Sequence, residues 1–140
     1  MRAVISRVTR ASVTVEDRLV SEIGSGLLVL LGVAPSDGDK EIELTARKIA
    51  DQRIFGDRSA AETGKPVLLV SQFTLYGDIR KGRRPSWSHA APGDVAEEIY
   101  ERVATELRQA HGLTVETGEF GAMMAVESVN DGPFTLWWEC

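Results

Sequence analysis

The chain has 140 residues, 43% apolar and 26% charged, the balance of one globular domain with its own core and not of a disordered or fibrous chain. A net charge of −5 argues against indiscriminate coating of nucleic acid. The sign is uneven, however, with ten acids against two bases from Ala90 to Cys140, and one acid against Arg80, Lys81, Arg83 and Arg84 between Asp78 and His89.

The opening residues Met1 to Arg7 lack the apolar block of a signal peptide, and Met1 to Val33 reads as strands with breaks at Glu16-Asp17-Arg18 and Gly24-Ser25-Gly26. Gly26 to Ala34 is the longest apolar run, far short of a membrane span. Pro35-Ser36-Asp37-Gly38 opens a helix with Ser36 or Asp37 as cap, and Ile42, Ala46, Ile49, Ala50 and Arg53 follow its face. Gly56 to Gly64 reads as a polar loop and Pro66 to Ser71 as a buried strand. A second helix starts near Pro92, shows Val95, Ile99, Tyr100, Val103, Leu107 and Ala110 on one face, and closes at Gly112. Three strands follow: Leu113 to Thr117, Met123 to Asn130 and Pro133 to Trp138. Strands at both ends with two helices between them predict a single α+β domain over residues 1–140. Cys140, the lone cysteine, forms no disulfide framework and suits a reducing cytoplasm; with only two histidines, a structural zinc site is not expected.

Two short stretches draw attention as chemistry. Ser71-Gln72-Phe73-Thr74 ends a strand with small hydrogen-bonding groups, and successive amides there could stabilise an oxyanion; equally, Ser71 and Thr74 could satisfy turn backbone. Asn130-Asp131-Gly132-Pro133-Phe134-Thr135 sets a Gly-Pro pair inside a run otherwise suited to a strand. Pro removes a ladder donor and makes a cis bond accessible, so both a rigid kink and an ordinary turn are compatible with it. Neither His89 nor His111 belongs to a triad signature, which leaves Ser71 and Thr74 without an evident base. Arg80-Lys81-Gly82-Arg83-Arg84-Pro85-Ser86-Trp87 mixes charge with an aromatic face, a combination that suits single-stranded RNA ends; a solvated loop is the alternative. Trp137 and Trp138 should face opposite sides of a strand.

The opening Met1 to Val13, Gly24 to Gly32, Ser71 to Gly77, Arg80 to Trp87, Thr117 to Ala122 and Asn130 to Thr135, in that order, resemble the D-aminoacyl-tRNA deacylase family of the Gly-cisPro type, nearly end to end. The resemblance implies a mixed, barrel-like sheet with two packed helices, a homodimer and a cytoplasmic hydrolase needing no cofactor or metal. It implies cleavage of the ester joining a D-amino acid, or misattached glycine, to the terminal adenosine of tRNA. By the same resemblance Ser71, Gln72, Phe73 and Thr74 form the catalytic pocket, with amides near Phe73 and Thr74 on the oxyanion and the terminal ribose hydroxyl assisting. Gly132-Pro133 enters that pocket from the other subunit and fills the space of an L side chain, Arg7 fixes its orientation, and Asn130 and Thr135 belong with them to the substrate-binding set. Phe120 and Met124 match positions near the adenosine, while Arg80, Lys81, Arg83 and Arg84 meet tRNA. Two departures stand out: Gly56 to Pro66 is shorter than in the family and lacks its Met-Asn-x-Ser-type stretch, and Phe134 replaces a more usual Val. A non-catalytic aminoacyl-tRNA end-binding module and a small-molecule serine esterase using Ser71 and His89 are the competing readings.

Overall fold

β1 (Arg2–Val15) pairs along both its edges and organises the sheet. The computed structural model describes residues 1–140. Glu16 and Asp17, both in left-handed backbone (φ 50° and 60°), turn the chain into β2 (Arg18–Ile23), a geometry that matches the twist of a tight hairpin. β3 (Gly26–Gly32) runs antiparallel to the first half of β1, and β6 (Ala125–Glu139) runs antiparallel along its other edge. β4 (Val67–Ser71) and β5 (Val115–Thr117) join β3 in parallel, giving the order β2-β1-β3-β4-β5 with β6 off β1. The Ser21 hydroxyl of β2 donates to the Thr117 carbonyl of β5 at 2.7 Å and draws the two ends of this path into a nearly closed, barrel-like mixed sheet.

The parallel connections carry the helices, as parallel pairing requires. α1 (Asp39–Asp51) and the one-turn α2 (Ala60–Thr63) link β3 to β4; α3 (Gly93–Gln109) links β4 to β5. The sheet thus contains two βαβ crossovers inside an otherwise antiparallel frame, a mixed α+β arrangement. Ser36 and Asp37 do not cap α1. Its cap is Gly38, whose amide donates to the Glu41 carboxylate at 2.9 Å, while Asp37 accepts from the Ala34 amide and the Met1 ammonium. Arg53 lies beyond the end of α1 and is exposed. Residues 56–64 are not all loop: Ser59 and Glu62 exchange side-chain and backbone hydrogen bonds at 3.1 Å, a capping box that starts α2. On α3 the buried face is Ala96, Ile99, Tyr100, Val103, Ala104 and Leu107; Val95 and Ala110 are exposed. The two carboxy-terminal strands expected on either side of Gly132 form one strand, β6.

Strand alternation supplies two cores. Leu27, Val29, Leu31, Val67 and Leu69 face the helices, whereas Leu28, Leu68 and Val70 face the inside of the curled sheet. β1 contributes Ala3 and Ile5 to the first and Val8, Ala11, Val13 and Val15 to the second. The inward side changes from even to odd numbers after Val8. Val8 pairs with Asn130 and Arg10 with Val129, so Thr9 is an extra residue that flips the phase. Phe134, Leu136 and Trp138 of β6 pack on the helix side and Trp137 points outward, the opposition expected of neighbours in a strand.

Tyr100 anchors α3 to the sheet. Its hydroxyl donates to the Leu69 carbonyl at 2.6 Å, and burial pushes its pKa up to about 12; burial does the same for Tyr76, also to about 12. The unfolded chain therefore releases these protons first, near pH 10. The stability they contribute is complete below about pH 10 and is lost as pH rises through about 12. We expect urea midpoints to fall over this interval, and to fall distinctly less in Tyr100→Phe, which removes one of the two titrations.

Candidate active site

A cavity of about 320 Å³ opens where β3 and β4 end and the chain leaves the sheet. The carboxyl ends of parallel strands are where a sheet with crossover helices leaves such space. Leu31 and Val33 come from the end of β3, and Ser71 and Gln72 from the end of β4. Ala91, Gly93 and Ala96 bring the amino terminus of α3 to the wall, with its partial positive charge. Tyr100 and Phe120 close the far side with ring centroids 5.9 Å apart.

The strand end is shaped by close backbone approach. The Gln72 amide donates to the Leu31 carbonyl at 2.7 Å, and the chain then enters a single 3-10 turn, Phe73–Tyr76. The turn's hydrogen bonds begin with the Leu75 amide to Gln72 O at 3.2 Å, so the amides of Phe73 and Thr74 precede the ladder, as the first amides of a helical turn do. Gly32 of β3 makes room: a Cβ there would stand 3.0 Å from Gln72 O and 3.2 Å from both Leu75 Cβ and Tyr76 Cδ2. The Thr74 hydroxyl accepts from the Gln72 side-chain amide. Neither histidine lines the cavity. A Ser71–His89 couple is therefore not assembled, and no side chain stands as a base for Thr74. His89 instead lines a larger, more open cleft of about 530 Å³ with Arg2, Asp78 and Arg80, whose walls hold no serine, threonine or cysteine.

The basic loop leaves the turn through a narrow neck. Asp78 and Ser86 exchange backbone hydrogen bonds of 2.8 and 2.9 Å, and residues 79–85 project between them. Arg80 folds back on Asp78, its guanidinium at 2.6 and 2.9 Å and its amide at 3.0 Å, which holds the Asp78 carboxyl well below the usual carboxylate range. Lys81, Arg83 and Arg84 are exposed, and the loop's ion pair is Arg80 with Asp78 alone.

At the sheet edge, Thr135 pairs with Ser6 and Asn130 with Val8, so the four residues 131–134 stand opposite Arg7 alone. Gly132-Pro133, a cis peptide, forms the exposed tip of this bulge. The Thr135 hydroxyl donates to Asn130 Oδ1 at 3.1 Å across its base. Arg7 donates to the carbonyls of Asp131 (3.1 Å), Gly132 (3.1 Å) and Ile54 (2.8 Å), pairs with the Asp131 carboxylate at 3.2 Å and lies over the Phe134 ring at 4.7 Å. Of the residues read from the sequence, Ser71, Gln72, Phe73 and Phe120 meet at the cavity. Arg7, Asn130, Gly132, Pro133 and Thr135 gather at the bulge instead, and neither Gly132 nor Pro133 lines their own chain's cavity. Met124 lies against Gly118 and the second core. Gly32, Tyr100 and the start of α3 join the site without a motif of their own; the one signal in the sequence is a tyrosine interrupting an aliphatic helix stripe, since its hydroxyl needs a partner. No three His, Cys, Asp or Glu side chains converge as a metal-ligand group.

The sequence profile of the D-Tyr-tRNA(Tyr) deacylase family matches residues 4–139. A D-aminoacyl-tRNA deacylase of Kineococcus radiotolerans is 64% identical over 138 residues, 97% of each chain, and that of Corynebacterium glutamicum is 54% identical over the whole of both. Among solved structures, the c-Myc DNA Unwinding Element Binding Protein superposes with TM-score 0.94 at 40% identity, covering 100% of this chain and 99% of its own. A probable eukaryotic D-amino acid tRNA deacylase at 19% identity shares the fold, with TM-score 0.85 over 98% and 97% of the two chains.

The turn's dependence on Gly32 is directly measurable. Gly32→Ala should lower stability by about 1–3 kcal/mol in urea titrations, whereas Gly24→Ala, where a Cβ meets no atom within 4 Å, should be nearly neutral.

Proposed function

This chain belongs to the D-Tyr-tRNA(Tyr) deacylase family and is a D-aminoacyl-tRNA deacylase, a hydrolase; from there we propose that it proofreads chirality through main chain shared between two copies. The cavity receives the terminal adenosine beside Phe120 and presents the ester to the strand end at Ser71-Gln72-Phe73. Water attacks the ester carbonyl, the amides of Phe73 and Thr74 hold the oxyanion, and the free ribose hydroxyl assists proton transfer as the tRNA oxygen leaves. The nearby amino terminus of α3 favours the same negative charge. Free D-amino acid and tRNA result. Thr74 acts through its backbone, in keeping with the lack of a base beside its hydroxyl.

Selection is assigned to the bulge of a second copy. Gly132-Pro133 would enter the cavity, occupy the volume an L side chain needs, and offer carbonyl oxygens to the substrate ammonium. Rejection by occupied space leaves no means of excluding glycine, so glycyl-tRNA is hydrolysed as well. The observation that carries this is the bulge itself: four residues held out opposite one, gripped by Arg7, exposed at the sheet edge and away from their own cavity. Gly132 O already accepts from Arg7 and keeps a second lone pair for the substrate. Lys81, Arg83 and Arg84 lie along the RNA, a homodimer is the working form, and aminoacyl-tRNA as substrate places the reaction in the cytoplasm. The shortened segment 56–66, the one departure that would suit a binding module without turnover, contains the one-turn α2 and lines no part of the cavity.

Release of tyrosine from D-Tyr-tRNA and L-Tyr-tRNA tests the reading. We expect rapid hydrolysis of the D ester and near silence on the L ester. Saturable binding of D-Tyr-tRNA with no release would leave only a binding role. Arg7→Ala, which frees three carbonyls and the Asp131 carboxylate, should raise L-Tyr-tRNA hydrolysis relative to D by tenfold or more, on the order of one lost charged hydrogen bond. Replacing Arg83 and Arg84 together with Ala should weaken tRNA binding and reduce the log–log salt slope by about one per arginine.

A further inference from the structure

An RNA whose last nucleotide enters the cavity must leave it across some surface, and one exit is built. Phe73 lines the cavity yet is 55% exposed, so it belongs to the wall and to the outside at once. Its ring meets that of Trp87 edge to face, centroids 5.4 Å apart and planes at 66°, and Trp87 is 44% exposed in turn. The indole has a made seat. It rests on Gly77, where a Cβ would come within 2.7 Å of the ring, and it follows directly on the Asp78–Ser86 neck. Beyond the neck project Lys81, Arg83 and Arg84, exposed cations outside any ion pair. Cavity, aromatic pair and cationic loop therefore form one continuous track. Aromatic faces beside free cations suit a polyanion whose monomers carry flat rings, because stacking tolerates any base while the cations follow the backbone.

We propose that Phe73 and Trp87 form a stacking subsite for the base of the nucleotide preceding the terminal adenosine, with its phosphate held toward the basic loop. The inference rests on the ester-hydrolase reading and extends it: the enzyme recognises at least two nucleotides, the second through ring contact and not by sequence.

The test compares the D-Tyr ester of adenosine with the same ester on the dinucleotide cytidylyl-adenosine. In the parent, kcat/KM should favour the dinucleotide. Trp87→Ala should lower that preference about tenfold, the size expected of one base–aromatic stack, and Trp87→Phe, which keeps a ring on Gly77, should retain most of it. A parent active on D-Tyr-tRNA but indifferent to the added nucleotide overturns the subsite alone. So does an equal loss on both esters in Trp87→Ala, which would make Trp87 a prop for the turn. A parent inactive on D-Tyr-tRNA overturns the hydrolase reading and the subsite together.

Discussion

Between Ser6 and Val8 of β1 the sheet has to accommodate four residues of β6 opposite one, and Arg7 makes that mismatch tolerable. A protruding segment exposes carbonyls that the ladder no longer pairs. The guanidinium covers the first two of them, ties them to Ile54 O just past the end of α1, and lies on the Phe134 ring. A planar fork of donors can serve three carbonyls in fixed directions, which a lysine ammonium cannot reproduce. The orientation of Gly132-Pro133 thus depends on one side chain that also reports the position of the helix layer.

The second constraint is close approach. Gly32 lets the turn after β4 lie directly on β3, and Gly77 lets Trp87 lie on the turn. Together they fix the Phe73 and Thr74 amides with respect to the cavity wall. On the proposed reading, a site built in this way uses backbone position where most hydrolases use a nucleophile and a base. It stays indifferent to the absence of an imidazole at the cavity. The core and the cavity share contacts, since the Tyr100 side chain that bolts α3 to Leu69 O also forms part of the wall.

Much of this was readable in the residues, for identifiable reasons. Strands β1 to β4 follow from alternation and apolar runs, and Trp137 and Trp138 part to opposite faces as a pleat demands. Residues 130–135 carried their own mark in the Gly-Pro pair within a strand-forming run. Ser59-Ala60-Ala61-Glu62 is legible as a capping box, though too short to show any period. The burial of Ala96 and Ala104 in place of Val95 and Ala110 reflects the rotation of α3 about its axis, set by packing against α1 and the sheet, which local spacing does not contain. The bulge opposite Arg7 and the phase flip at Thr9 depend on pairing between residues more than a hundred positions apart. Only register reveals them.

The neck formed by Asp78 and Ser86 has a further bearing on how such a protein can change. Its two hydrogen bonds close residues 79–85 into an appendage, with Arg80 folded onto Asp78 at its root. If this loop holds RNA as proposed, substitutions at its tip can alter that grip without reaching Phe73 or Thr74. Adhesion to different transfer RNAs and discrimination at the ester are then separable traits, open to selection one at a time.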